Sequence, residues 1–293
     1  MRISRLFQEK RPVVSQEIFP PKLDTPLDVI LGKMDRFAAM SPDFISVTYG
    51  AGGSGKGRTI ELASRIKQVH GVESMAHFTC VGHTVGQVDE MVAELQASGI
   101  ENVLALRGDP PLNEPDFDFS GNAFPYADEL IAYIRTKADF CIGAAAYVEG
   151  HVDAKRLSED LRFLRRKVDA GVDFLVTQLF FDNRMYYDFM EKALAIGINV
   201  PVAAGVMPVF KADQIKRIAS LCGAALPARL VLMMDRYQNN PDDMKKAGIE
   251  YAAAQIRDLT ENGVAGIHLL SMNRPDEAEQ ILRASGLWRE SVP

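Results

Sequence analysis

Two carboxylates stand where carboxylates are costly. Glu17 lies inside Ser15-Gln16-Glu17-Ile18-Phe19-Pro20-Pro21, and Asp109 closes Leu106-Arg107-Gly108-Asp109-Pro110-Pro111. Apolar surroundings disfavour an ionised carboxyl and raise its pKa toward neutrality, so Glu17 is expected to act as a general acid. The blander readings are a glutamate turned to solvent and an aspartate that caps its loop. Gly108 permits close approach of backbone to a ligand. Arg107 could hold a phosphate bidentately or merely a surface carboxylate. A second group is Asp160, Arg166 and Lys167. Asp160 and Lys167 are seven residues apart and share one helical face, which a solvated, salt-bridged surface would also explain. Lone histidines such as His77 and His151 are more often structural than catalytic.

The elements that must position these groups follow one repeat. Short apolar runs rich in β-formers occupy 13–19, 44–50, 74–81, 102–108, 140–147, 174–181, 200–208 and 266–273. Most carry few alternating charges, as parallel strands buried on both faces do. Helical periodicity lies between them. Val88, Met91, Val92 and Leu95 share one face, as do Leu157, Leu161, Leu164 and Val168. Gly71, Gly99, Gly171 and Gly197 each follow such a pattern, where a left-handed residue is wanted. Eight β-then-α units predict an α/β fold, a (βα)8 barrel of the TIM type, as one unit over 1–293. A doubly wound sheet is the alternative. Residues 210–265, before the last strand, need about three helices by length. In such a barrel the chemistry collects at the C-terminal ends of the strands. Glu17, Thr48, His77, Arg107, Asp109, Tyr147, His151, Gln178 and Asn273 should therefore converge on one mouth.

Composition narrows the partners. The 293 residues carry 33 Lys+Arg and 39 Asp+Glu, a net charge of −6, with 47% hydrophobic residues. That balance argues against nucleic acid and anionic membranes as partners. Cys80, Cys141 and Cys222 lie far apart with no CxxC pair, so no disulfide framework, zinc site or iron–sulfur site is expected. The N-terminal MRISRLFQEKRP has no apolar h-region, and no run reaches membrane-spanning length. A cytoplasmic protein is the expectation.

The stretch GAGGSGKG (50–57) is ambiguous. Gly50, Gly52 and Gly55 match the dinucleotide fingerprint, with Glu73 following at a suitable distance. It also approaches a phosphate-binding loop, but Gly57 stands where Ser or Thr must hold magnesium. A glycine-rich loop at the barrel mouth, with Thr59 early in the next helix, is preferred.

Seven strings, QEIFPPK (16–22), SVTYGAGGS (46–54), HFTC (77–80), LRGDPP (106–111), AAYVEGH (145–151), TQLFFD (177–182) and GIHLLSMNR (266–274), occur in one order along the chain. Together they resemble the methylenetetrahydrofolate reductase family. The similarity is to the stand-alone bacterial barrel, the chain being short for the regulatory domain of eukaryotic members. The resemblance implies FAD at the strand ends and NADH or NADPH as co-substrate. It implies reduction of 5,10-methylenetetrahydrofolate to 5-methyltetrahydrofolate by ping-pong hydride transfer through flavin N5. A homo-oligomer is implied too. By the same resemblance, Glu17 matches the acid that protonates the folate N10. Asp109 matches a carboxylate beside flavin and pterin, and Gln178 and Arg274 match substrate-binding positions. Thr48, Tyr49, His77, Arg107, Gly108, Asp109, Tyr126, Ala127, Ala145, Tyr147, His151, Asp160, Arg166 and Lys167 match flavin-contacting positions.

The chain departs from the family pattern at several places. Gln16 and Ile18 flank Glu17 where aromatics are common, which bears on the acid's surroundings. Phe163 replaces a polar flavin contact, Phe210 and Ala212 displace a stacking Phe, and Leu270 replaces an aromatic substrate contact. Two other classes compete. One is a non-redox phosphate-binding aldolase or lyase using Lys56 or Lys167 as a Schiff-base nucleophile, which desolvation would have to activate; both lysines sit in polar or Gly-rich sequence. The other is a non-catalytic folate- or flavin-binding module, for which a buried acid has no purpose.

Overall fold

The computed structural model describes residues 1–21, 24–49, 56–110 and 117–289. The glycine-rich motif at 50–55 and Pro111 lie outside them. Eight parallel strands close into a barrel in chain order, and the last pairs with the first. The order is α1 (Ile3–Glu9), β1 (Val13–Ile18), α2 (Asp28–Ala39), β2 (Phe44–Val47), α3 (Lys56–His70), β3 (Glu73–Thr79), α4 (Val85–Ala97) and β4 (Asn102–Leu106). It continues through α5 (Ala127–Lys137), β5 (Cys141–Ala146), α6 (Leu157–Asp169), β6 (Phe174–Thr177), α7 (Asn183–Ala195) and β7 (Val202–Val206). The chain ends with α8 (Ala212–Cys222), α9 (Ala228–Tyr237), α10 (Pro241–Glu261), β8 (Gly266–Leu270) and α11 (Pro275–Ser285). All eight expected strands are present, and three helices fill 210–265. Among the described residues no helix is long and apolar enough to cross a membrane.

Strand alternation divides the core in two. Outward residues such as Ile18, Ile45, Val47, Ala76, Phe78 and Leu269 pack beneath the helices. Inward residues Val13, Phe44, Met75, Leu104, Phe174 and Ala203 fill the lower barrel. Helix α1, which the sequence reading did not anticipate, closes that end with Ile3, Leu6 and Phe7. The Phe7 ring lies 5.4 Å from that of Phe174. Gly143 makes room for Phe174, since a methyl group there would come within 2.7 Å of its ring. A third cluster joins Ile215, Leu230, Met234 and Met244 to Leu179, Phe181 and Leu270. Gly71, Gly99, Gly171 and Gly197 all have positive φ, as expected of residues that end helices.

Candidate active site

Above the apolar layer the inward positions turn polar. Ser15 and Glu17 are two apart on β1, and Ser15 is in register with His268 of β8. Glu17 is in register with Ser46 of β2, and His77 points inward from β3. These five side chains form a continuous chain. Ser15 Oγ lies 2.8 Å from His268 Nδ1, and His268 Nε2 lies 3.4 Å from Glu17 Oε2. On the other side His77 Nε2 lies 3.5 Å from the same carboxylate oxygen and 2.7 Å from Ser46 Oγ. Ser15 Oγ is also 3.3 Å from the Ile267 carbonyl. A carboxylate can only accept, so the His268 Nε2 that faces an ionised Glu17 is its donor.

This arrangement corrects the expected pKa of Glu17. Burial raises it, but the His268 hydrogen bond and the charges of His77 and His268 outweigh burial and hold it below the usual value. Gln16 and Ile18, adjacent in sequence, point away from the site. Gln16 Nε2 donates to Met40 Sδ at 3.3 Å, and Ile18 joins the outer core. Burial pushes the His77 pKa down to about 4, although the Glu17 charge opposes this. His77 is therefore neutral at pH 7.

The backbone of Glu17 is fixed by the end of β8. Ser271 Oγ donates to the Glu17 carbonyl at 2.6 Å. Asn273 receives the Phe19 N–H at 2.9 Å and donates to the Phe19 carbonyl at 2.8 Å. Asn273, expected among the polar groups of the mouth, is thus a clamp across the β8–β1 seam. It and Met272 take left-handed backbone, with φ of 55° and 54°. Asn tolerates that region, whereas Met adopts it only where its surroundings compel it.

A second group gathers at the ends of β4 and β5. Gly108 has φ 91°, and a Cβ there would lie 2.5 Å from Val81 Cγ1. Only bare backbone fits. Arg107 lies 3.0 Å from Asp153 and 4.2 Å from the centre of the Phe119 ring. Tyr147 and His151 meet edge to face at 4.6 Å. Burial lifts the Tyr147 pKa to about 12, with help from the Asp109 charge. Asp109 itself is exposed. Burial raises the Asp160 pKa, against the pull of Lys167 and His151. Lys167 is half-buried, its pKa is lowered to about 8 by desolvation, and its Nζ donates to the Ala145 carbonyl at 2.5 Å. The fold thus desolvates a lysine that its sequence surroundings presented as polar. Arg166 reaches Asp128 at 2.6 Å, and exposed Tyr126 precedes Ala127 at the start of α5.

The remaining candidates border the same mouth. Thr48 is buried and its carbonyl accepts from Thr59 at 2.9 Å. Tyr49 Oη lies 3.3 Å from His83 Nε2. The Gln178 amide oxygen accepts from Leu179 N at 2.8 Å, so the group it can offer a ligand is its NH2. Arg274 lies over Phe210 at 4.8 Å and 3.4 Å from Glu277.

Sequence reasoning missed Ser15, Ser46, His268, Phe119 and Asp153. The strand register is the signal for the first three. Asp153 holds Arg107 while remaining largely exposed, with 64% of its side chain accessible. Exposed pairs are worth about 0.2–1 kcal/mol, so Asp153→Asn is expected to tighten inorganic pyrophosphate binding about two- to fivefold by titration calorimetry. Unchanged affinity would show that Asp153 does not compete for Arg107.

The family model for methylenetetrahydrofolate reductase matches residues 2–286. The chain belongs to the methylenetetrahydrofolate reductase family. It is 34% identical to methylenetetrahydrofolate reductase (NADH) 1 of Arabidopsis thaliana, over 99% of this chain and 51% of that protein. It is 33% identical to 5,10-methylenetetrahydrofolate reductase of Escherichia coli K12, over 94% of this chain and 90% of that protein. The chain spans about half the length of the plant relatives it matches. Among solved structures, a Clostridium thermocellum protein described as binding two copies of 5-methyl-5,6,7,8-tetrahydrofolic acid superposes with TM-score 0.69 at 14% identity, covering 96% of each chain. That likeness supports the fold.

Proposed function

We propose that this barrel reduces 5,10-methylenetetrahydrofolate to 5-methyltetrahydrofolate, using FAD and a nicotinamide nucleotide. The observation that carries the reading is a carboxylate enclosed between two imidazoles at the mouth of a barrel of this family. The residues present fit a flavin dinucleotide. Gly108 presents backbone without a side chain at the end of β4, where a Cβ would meet Val81. Arg107, Arg166 and Lys167 supply cations for a diphosphate. The buried Thr79 Oγ1 has no partner among the described residues. Tyr126, Ala127, Ala145, Tyr147, His151 and Asp160 complete the wall, with Thr48, Tyr49 and His77 on the β2–β3 side. FAD, when bound there, supplies hydride transfer through N5 between the two substrates.

The chain's own residues handle the proton and the positioning. Glu17 is ionised in the ligand-free site, because the imidazoles lower its pKa. A folate ring system over the mouth removes water from Glu17 and restores the effect of burial, raising its proton affinity. Glu17 then delivers a proton to N10, which opens the five-membered ring. His268, oriented by Ser15, donates a hydrogen bond toward the same carboxylate and holds its position, while the proton that Glu17 passes on is taken from solvent as the folate enters. Asp109 offers a negative charge to the resulting cationic iminium. Gln178 presents its NH2 group to the folate, and Arg274, resting on Phe210, meets the carboxylates of the folate tail. The nicotinamide donor uses the same face earlier in the cycle and departs before the folate enters.

The test is an absorbance spectrum of the purified protein, followed by anaerobic NADH and then methylenetetrahydrofolate. Flavin absorption that bleaches with NADH and returns with the folate is expected. A protein that stays colourless after incubation with FAD would overturn the flavin assignment. A protein that bleaches but never recovers with the folate would overturn the substrate.

A further inference from the structure

The end of β1 is gripped by side chains rather than by a neighbouring strand. Register between β1 and β8 ends at Glu17 and Leu270. Pro20 and Pro21 follow β1 with no N–H to donate, so the next segment brings no donors of its own. Backbone polar groups at such an end still need partners. Strand β8 meanwhile turns away at 271–274, where the Arg274 N–H donates to the Ser271 carbonyl at 3.0 Å. Both central residues, Met272 and Asn273, are left-handed, the pattern of a type I′ turn. Asparagine suits that turn, whereas Met272 is held in it by packing against the cluster of Leu179, Phe181 and Leu270.

Side chains of this turn continue what the β8 backbone leaves off. Ser271 takes the Glu17 carbonyl at 2.6 Å, and the Asn273 amide takes both the N–H and the carbonyl of Phe19, at 2.9 and 2.8 Å. From β2, the Thr48 N–H donates to the Ile18 carbonyl at 3.0 Å. Lys33 of α2 braces the turn, donating to the Asn273 carbonyl at 3.0 Å. A planar amide that donates and accepts on one residue fixes its rotation as well as its distance. By contrast, the Glu17 carboxylate meets His268 and His77 at 3.4 and 3.5 Å, long for hydrogen bonds. These contacts are too loose to place the carboxylate, so its position is set by the backbone that carries it.

We infer that Asn273 is a positioning residue for the acid. It locks the strand end that carries Glu17, and so governs proton delivery in the folate half-reaction without serving hydride arrival. This rests on the role given to Glu17 above. A reacting group misplaced by about 1 Å can lose about 10²-fold in rate.

The experiment reads the two half-reactions separately in Asn273→Gly, in Asn273→Asp, and in each combined with Glu17→Gln. Glycine accepts the left-handed backbone, so Asn273→Gly removes the grip and keeps the turn. Asn273→Asp also tolerates that backbone and can receive the Phe19 N–H, but an ionised carboxylate cannot donate to the Phe19 carbonyl. Both variants should slow the folate half-reaction by about 10- to 10²-fold, with bleaching by NADH and the affinity for FAD unchanged. In the Glu17→Gln background the same substitutions should add less than about twofold, because the group they position is gone. A full additional loss in that background would overturn the inference, as would equal losses in both half-reactions or a normal folate half-reaction in Asn273→Gly. Normal folate turnover by Glu17→Gln alone would instead remove the acid reading on which the inference stands.

Discussion

Glu17→Gln is expected to separate the two halves of the reaction. The carboxamide is close in shape and can still receive the His268 Nε2 proton across the 3.4 Å contact. It cannot release a proton to N10. Positioned general acids contribute about 10²- to 10⁴-fold in rate, and the folate half-reaction should fall by that factor. Bleaching by NADH should persist, because hydride arrival needs no acid at this position. Stopped-flow absorbance read separately for the two half-reactions makes the measurement. Equal losses in both would assign Glu17 to holding the site together. Normal folate turnover would remove it from proton delivery altogether.

The reason sequence could identify Glu17 but not its ionisation lies in the pleat of a strand. Residues next to it in the chain point to the opposite face. Gln16 and Ile18 look outward, so the apolar string around Glu17 says little about what the carboxylate meets. Its neighbours come from β3 and β8, sixty and more than two hundred and fifty positions away. His268, inside the apolar string GIHLL, reads as an ordinary core histidine until its register with Ser15 is known. The eight strands were legible because parallel strands buried on both faces must be apolar throughout. The helices were legible because a one-sided core imposes a 3.6-residue period. Helix α1 has only seven residues, ISRLFQE, too few to display that period. Lys167 shows the same limit from another side. Its partial burial is set by the fold, and the groups its ammonium meets, the Asp160 and Asp128 charges and the Ala145 carbonyl, are not adjacent to it in sequence.

Gly248→Ala should expose how tightly the outer helices hold the Phe210–Arg274 side of the mouth. In isolation the substitution favours α10, because alanine is the better helix former by about 1 kcal/mol. Here Gly248 is buried against the Val209 backbone, and an added methyl group would overlap the Val209 carbonyl oxygen. A carbonyl cannot rotate away as a long side chain can, so α10 or the segment after β7 must move. Overpacking of this kind costs about 1–3 kcal/mol or more, enough to exceed the gain in propensity. Thermal unfolding should fall by several degrees. The displacement should also reach Phe210, the next residue, and with it the Arg274 guanidinium that rests on its ring at 4.8 Å. On the proposed function, folate KM should therefore rise while the affinity for FAD is unchanged. Gly32→Ala supplies the contrast, since nothing lies within 4 Å of a Cβ built there in α2. That variant should be stabilised by about 0.5–1 kcal/mol with no change in KM. If both variants gain stability, α10 is free to move relative to the barrel. The Phe210–Arg274 contact then owes its position to the β7 and β8 strand ends alone.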